Sequence, residues 1–267
     1  MENTVPVALT IGGSDSSGGA GIQADLKTFH AFGVFGTSAL TAITAQNTLG
    51  VSGVHAVPLD IVRGQIEAVA VDMRPHACKS GMLATRELVS TVALCMREYE
   101  LPRYVLDPVM VATSGDRLLE IDAEKAIMTE LVPLAALVTP NLDEAGILVG
   151  FEVADVAAME RAARALTLAG AGAALVKGGH MQDAELVDVF FDGSTLRHFR
   201  RTRIATRNTH GTGCTLSAAV TAGLARGAPL ESAVEHALDY VYRAIAQAPN
   251  LGQGHGPLNH FVPAADR

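Results

Sequence analysis

The residues best suited to chemistry lie in one stretch, Asn208-Thr209-His210-Gly211-Thr212-Gly213-Cys214-Thr215-Leu216-Ser217. A short polar segment broken by glycines runs into an apolar, alanine-rich segment, which predicts a helix beginning near Gly213. N–H groups at a helix start have no partners within the helix, and the helix dipole adds positive potential there. Glycines let the backbone come close to a ligand. The expected product is a cradle for a phosphate or a developing oxyanion. Cys214 sits inside it, where a thiol is expected to lose its proton more easily than in free solution. The same residues also fit a plain helix cap with a small buried cysteine.

A second group is Asn141-Leu142-Asp143-Glu144, which opens a helix directly after a strand. Positions 141 and 144 are one turn apart and share a face. An amide and a carboxylate there can hold a water-rich Mg²⁺ beside phosphates. They equally make an N-cap Asn with Glu at the third position, a variant of the capping box. Lys177 has a similar pair of readings: it neutralises a phosphate or pairs with an acid. Further polar clusters are Gly12-Gly13-Ser14-Asp15, Ala45-Gln46-Asn47, Lys79-Ser80-Gly81-Met82, Asp107-Pro108-Val109-Met110, Thr139-Pro140-Asn141 and Lys177-Gly178-Gly179-His180. Each is read as following a strand, where ligands bind in open α/β sheets. Together they describe a site on one sheet edge.

The elements that must position these residues alternate along the chain. Strands are expected at Val5–Ile11 (stopping at Gly12-Gly13), Ser38–Ala45, Tyr104–Leu106, Ala135–Val138 and Ala173–Val176. Helices are expected at Ala20–Phe32, Ile61–Met73, Arg86–Glu98, Ala123–Leu131, Leu142–Val149, Ala157–Ala169, Thr215–Arg226 and Leu230–Ala246. Leu186–Phe191 and Thr195–Phe199, joined through Asp192-Gly193, predict a hairpin. The alternation argues for βαβ units and a mostly parallel sheet. With no linker or repeat, residues 1–267 read as one domain, fraying from Pro263 to Arg267.

Composition excludes several classes. The net charge of −8 leaves no basic patch for nucleic acid. No apolar run reaches the roughly 18 residues of a membrane span. The start, Met1 to Pro6, lacks the basic region of a signal peptide. Cys78, Cys95 and Cys214 form neither a disulfide framework nor a CxxC pair, so a reducing cytoplasm is the expected home. Gly19-Ala20-Gly21-Ile22-Gln23-Ala24 fits GxGxxA, but it lies eight residues past Ile11 and no Asp or Glu occurs between Asp25 and Asp60, which argues against a dinucleotide site. There is no P-loop and no HExxH; His30, His76, His198 and His236 read as surface or packing residues.

Taken together these segments resemble the hydroxymethylpyrimidine/phosphomethylpyrimidine kinases of thiamine biosynthesis, in the ribokinase-like superfamily. The resemblance runs from Leu9–Thr28 and Thr41–Thr48 through Lys79–Leu83, Asp107–Met110, Thr139–Ala145 and Lys177–His180. It ends with Asn208–Ser217 and Gly254–His260. It implies a single-domain, three-layer α/β/α fold with a mostly parallel central sheet. It implies transfer of the γ-phosphoryl of ATP, with Mg²⁺, to the hydroxymethyl group of a pyrimidine and then to the monophosphate. By this resemblance Gly211, Thr212, Gly213 and Cys214 form the anion hole, with Cys214 the candidate base. Asn141 and Glu144 organise Mg²⁺, and Lys177 and Thr209 contact ATP. Gln46 reads the ring edge, with Asp25, Gly13, Met82 and Val109 around it. The partners implied are the small-molecule pyrimidine, ATP and a second copy of the chain, a dimer being favoured. A pyridoxal kinase is the alternative activity. A non-catalytic pyrimidine-binding protein on the same fold is a third reading, which a lost Glu144, Lys177 or anion-hole glycine would favour; none is lost.

Overall fold

The apolar runs form the middle of one nine-stranded sheet with strand order β3-β2-β1-β4-β5-β6-β7-β8-β9. The computed structural model describes residues 5–110, 119–179 and 185–264. Strands β1 (Val7–Gly13), β2 (Phe35–Asn47), β4 (Ala77–Ser80), β5 (Tyr104–Leu106), β6 (Leu137–Val138) and β7 (Ala174–Val176) are mutually parallel. The outer strands β3 (Gly50–Ala56), β8 (Glu185–Phe191) and β9 (Leu196–Thr202) pair antiparallel. Helices α1 (Gly21–Ala31), α7 (Thr212–Ala225) and α8 (Leu230–Ala246) pack on one face. Helices α2 (Leu59–Asp72), α3 (Arg86–Glu98), α4 (Ile121–Ala126), α5 (Leu142–Val149) and α6 (Val156–Leu168) pack on the other. Strands covered on both faces read as continuous apolar runs, as Ala8, Leu9 and Ile11 of β1 do. The outcome is the expected three-layer α/β/α architecture.

Several elements depart from the sequence reading. β1 does not stop at Gly12; it runs through Gly12 and Gly13, with a shift in its register against β2. β4 escaped notice because it has four residues and two of them, Lys79 and Ser80, are buried polar side chains. β3 escaped because it is glycine-interrupted and exposed, without an alternating pattern. Gln46 and Asn47 lie inside β2, not after it. The Ala123–Leu131 helix starts earlier, at Ile121, and ends in a π-helical turn, Ile127–Leu131, ahead of Pro133. The 192–195 turn forms as expected, with Asp192 Oδ1 accepting the N–H groups of Ser194 and Thr195. At the C-terminus, Val262 is buried and Ala264 O accepts from Arg243, so the chain is held through Ala264; Ala265–Arg267 lie outside the described residues, as does His180.

Candidate active site

The chain runs from β1 to β2 on one side and later to β4 on the other, with α1 and α2 on opposite faces. Such a reversal opens a crevice at the carboxyl ends of the strands. A cavity of about 600 Å³ occupies it, and every residue given a role by sequence lines it: Gly13, Asp25, Gln46, Met82, Val109, Asn141, Glu144, Lys177, Thr209, Gly211, Thr212, Gly213 and Cys214.

At the floor, α7 begins at Thr212 behind Gly211, which has φ +83°, a left-handed conformation that favours glycine. The first hydrogen bond of the helix runs from Thr215 N–H to Gly211 O (2.9 Å), so the N–H groups of Gly213 and Cys214 precede it. The helix start thus has the backbone geometry that a phosphate cradle requires. The expected acidity of Cys214 is not found. Burial, reinforced by Asp25 and Asp107, pushes the thiol up to about 12 against the pull of Lys79. Desolvation penalises the thiolate more than the helix start and one ammonium favour it.

Beside the cradle lies a chain of buried charges. Lys79, at the end of β4, places Nζ 2.9 and 3.0 Å from the two oxygens of Asp25, which also accepts from Thr10 (2.6 Å). Burial is the largest influence and opposes the Lys79 charge, but Asp25, Cys214 and Asp107 together outweigh burial and hold the ammonium protonated. Lys177, after β7, lies 3.3 Å from Asp107 Oδ1 and 3.9 Å from Glu144 Oε2. Asp107 is further held by Thr139 (3.3 Å) and Ser217 (3.2 Å). Glu144 and Asn141 form the capping box of α5: Asn141 Oδ1 accepts Glu144 N–H (2.9 Å) and Glu144 Oε2 accepts Asn141 N–H (2.8 Å). The cap does not remove Glu144 from the cavity. Burial, with Asp107 adding to it and Lys177 opposing, raises its carboxyl to about 7. Two carboxylates share one ammonium here, a negative excess that suits a further cation. Among the described residues no group of three or more His, Cys, Asp or Glu side chains is arranged to hold a metal by itself.

The lining around Gln46 is held by neutral groups. Ser16 Oγ donates to Gln46 O (2.7 Å) and accepts Gln46 N–H (2.8 Å). Thr44 Oγ1 lies 3.2 Å from Gln46 Oε1, while Gln46 Nε2 has no hydrogen-bond partner among the described residues. Met82 lies along the backbone of Gly13, where a Cβ would come within 2.7 Å of its methyl carbon. Near the rim, Leu186, Ile204, Tyr242 and Ile245 supply an apolar surface beside Thr209 and Arg201.

Sequence reasoning gave no role to Lys79, Asp107, Asp15, His210 or Asp188. Asp188 is buried on β8 and its Oδ1 accepts the N–H of Gly178, fixing the turn after Lys177. Membership in the polar clusters on the sheet edge was the one available signal for Lys79, Asp107 and Asp15. The partners of the others come from distant segments. The histidines read as packing residues behave so: His76 Nδ1 accepts Val7 N–H and His198 pairs with Glu160. All three cysteines are free thiols.

Comparison with known proteins agrees with this geometry. The phosphomethylpyrimidine kinase family model matches residues 15–259. A hydroxymethylpyrimidine/phosphomethylpyrimidine kinase of Rhizobium meliloti is 55% identical over 258 residues, covering 96% of this chain and 97% of that one. The structure of a phosphomethylpyrimidine kinase from Clostridium difficile is 40% identical with a TM-score of 0.81, covering 90% of this chain and 99% of that one. An ADP complex of Bacillus subtilis pyridoxal kinase is 39% identical with a TM-score of 0.90, covering 96% of this chain and 98% of that one. The fold is ribokinase-like, and the chain, a phosphotransferase, belongs to the phosphomethylpyrimidine kinase family.

Proposed function

We propose that this protein transfers the γ-phosphoryl of ATP to the hydroxymethyl oxygen of 4-amino-5-hydroxymethyl-2-methylpyrimidine, and then a second phosphoryl to the monophosphate, giving the diphosphate used in thiamine biosynthesis. The carrying observation is one cavity lined both by the Gln46 amide and by a cradle of helix-start N–H groups beside buried cations. A Gln amide with a free Nε2 matches the donor–acceptor edge of an aminopyrimidine. Met82 and Val109 enclose the ring faces. Lys177 and Thr209 bind the nucleotide phosphates, and Leu186, Ile204, Tyr242 and Ile245 receive the base.

Asn141 and Glu144, with Asp107 alongside, are the residues that would hold Mg²⁺. The Asp107 and Glu144 carboxylates share the single Lys177 ammonium, and Asn141 lies beside them in the same cavity, a setting that suits a cation that keeps its waters. Mg²⁺ supplies charge neutralisation on the phosphates. Lys177 and the Gly213 and Cys214 N–H groups stabilise charge on the transferring group. Cys214 is the acceptor of the hydroxymethyl proton. With its thiol near 12, the thiolate is scarce at neutral pH, so base catalysis by Cys214 gives a kcat that climbs with pH.

The protein acts as one domain, 1–267, and as a homodimer through the β2–β3 ribbon. There Phe35, Ile43 and Val54 are more than half exposed, and β3 is an unpaired sheet edge. Three free thiols fit a reducing cytoplasm. No described helix is long and apolar enough to cross a membrane. Mass spectrometry of products formed from ATP, Mg²⁺ and hydroxymethylpyrimidine tests the reading: mono- and diphosphate are expected. Phosphorylation of pyridoxal in preference to the pyrimidine would replace it with the activity that the Bacillus subtilis relative is named for. Glu144→Gln is expected to raise the Mg²⁺ concentration for half-maximal rate, since Gln retains the cap. An unchanged Mg²⁺ titration would leave Glu144 as a capping residue only.

A further inference from the structure

Asp15 and His210 are 195 positions apart in the chain, yet His210 Nε2 lies 2.8 Å from Asp15 Oδ2 and both side chains are buried at the cavity wall. Asp15 is the centre of the loop that follows β1. Its Oδ2 also accepts the N–H groups of Gly19 (3.1 Å) and Ala20 (2.8 Å) and the hydroxyl of Ser17 (2.9 Å), and its Oδ1 accepts Ser17 N–H (2.8 Å). Burial works against this carboxylate, but the bonds from His210, Ser17 and Ala20 overcome it and hold the group at about 2, ionised at any working pH. The loop is fixed in turn to the ring-reading wall. Ser16 Oγ bonds both backbone groups of Gln46, and Thr44 Oγ1 donates to Ser14 O (2.7 Å).

His210 directly precedes the cradle. A Cβ on Gly211 would come within 1.9 Å of Gly19 O, and one on Gly19 within 2.5 Å of His210 Cδ2. The cradle backbone therefore rests on the backbone of the 15–20 loop, with the imidazole–carboxylate bond holding the two segments together. On the far side His210 N–H donates to Gly256 O (3.1 Å). We propose that Asp15 and His210 are positioning residues: a clasp that sets the Gly211–Cys214 cradle at a fixed distance from the Gln46 wall, so that acceptor oxygen and transferring phosphoryl meet in line. The inference rests on the reading of these two regions as phosphoryl and acceptor sites. Its physical basis is that small misplacements of reacting groups cost large factors in rate while leaving each binding site intact.

Steady-state kinetics with ATP and hydroxymethylpyrimidine varied separately tests this. His210→Leu is expected to lower kcat by about tenfold or more, with both KM values within about threefold of wild type. His210→Gln, whose amide N–H can donate to Asp15 in place of Nε2–H, is expected to restore most of that loss. Asp15→Asn, which places an NH₂ group among several donors, is expected to be at least as slow as His210→Leu, and the double variant no slower than Asp15→Asn alone. A His210→Leu kcat within about twofold of wild type overturns the proposal. So does a His210→Gln enzyme as slow as His210→Leu, since the imidazole itself would then be acting. Should His210→Leu fail to fold, His210→Asn, polar but too short to reach Asp15, takes its place. Gly213→Ala, whose Cβ would lie 3.3 Å from Lys177 Nζ, checks the underlying reading. If that variant keeps wild-type kcat, the cradle assignment falls, whatever the clasp variants do.

Discussion

Around Gln46 the cavity wall is uncharged and half-buried, and its polar groups are held by short-range hydrogen bonds from Ser16 and Thr44. Elsewhere in the lining, Asp25, Lys79, Asp107, Glu144 and Lys177 put five ionisable side chains out of contact with most water. The neutral wall is inexpensive to build, and it discriminates by leaving a wrong ligand's polar groups, or its own, unpaired. The charged side is costly, because each ion must recover its lost hydration from a partner. The contrast separates two tasks: recognition of a flat heterocycle needs shape and a few directed bonds, whereas phosphoryl transfer needs preorganised charge.

The largest expected effect tests the charged side. Lys79→Met leaves the Asp25 carboxylate buried without its ammonium, which is expected to cost about 3–5 kcal/mol in denaturant unfolding. The double change Asp25→Asn with Lys79→Met is expected to regain most of that stability, because a neutral pair has no charge to strand. If the double variant is as unstable as the single one, volume and not charge decides the site. Next comes Cys214→Ala. With little thiolate available, a kcat loss near the lower end of the range for a positioned base, about 10²-fold, is expected, together with loss of the rise of kcat with pH. A wild-type kcat that stays flat from neutral to alkaline pH would remove Cys214 as the proton acceptor.

On the neutral side, Gln46→Leu is expected to cost about 1–3 kcal/mol in kcat/KM by leaving the substrate's ring groups without partners. The loss should be greater for the alcohol than for the monophosphate, whose phosphate gains its own anchoring from the cradle. Equal, near-wild-type values for both substrates would undo the ring-reading assignment.

The smallest effect concerns a group that serves neither wall. His260 lies 3.0 Å from Thr215 Oγ1 at the start of α7, and burial, with Lys27 assisting, lowers its pKa from 6.5 to about 4. The unfolded chain protonates this histidine first, so its contribution to stability is present above pH 6.5 and is lost as pH falls toward 4. His260→Gln is expected to lessen the acid-side fall by about 1–2 kcal/mol, allowing for partial exposure. Parallel stability–pH curves for the two proteins would show that His260 titrates normally.

Much of this was legible in the chain because it depends on local rules. Glycines before an alanine-rich run gave the cradle and the start of α7; Asn141 with Glu144 gave the cap of α5; alternating apolar segments gave the parallel sheet. What escaped depends on partners far away in sequence. β4 is too short and too polar to be read as a strand until Asp25 of α1 is seen to neutralise Lys79. β3 is defined by the overhang of β2 and not by a pattern of its own.

The sequence by itself determined the layer architecture, the edge of the sheet where the polar clusters gather and the residue types found there, since periodicity, turn chemistry and helix-start geometry act over a few residues. Only the tertiary structure decided the electrostatic state of those residues. Cys214 looked like a thiol at a helix start that should ionise readily; surrounded by the protein it is held near 12. Glu144 looked like either a cap or a metal ligand; folded, it caps α5 and still faces Lys177. Desolvation and the placement of charges far apart in sequence, Lys79 against Asp25 and Lys177 against Asp107 and Glu144, set these outcomes, and neither exists until the chain has closed around them.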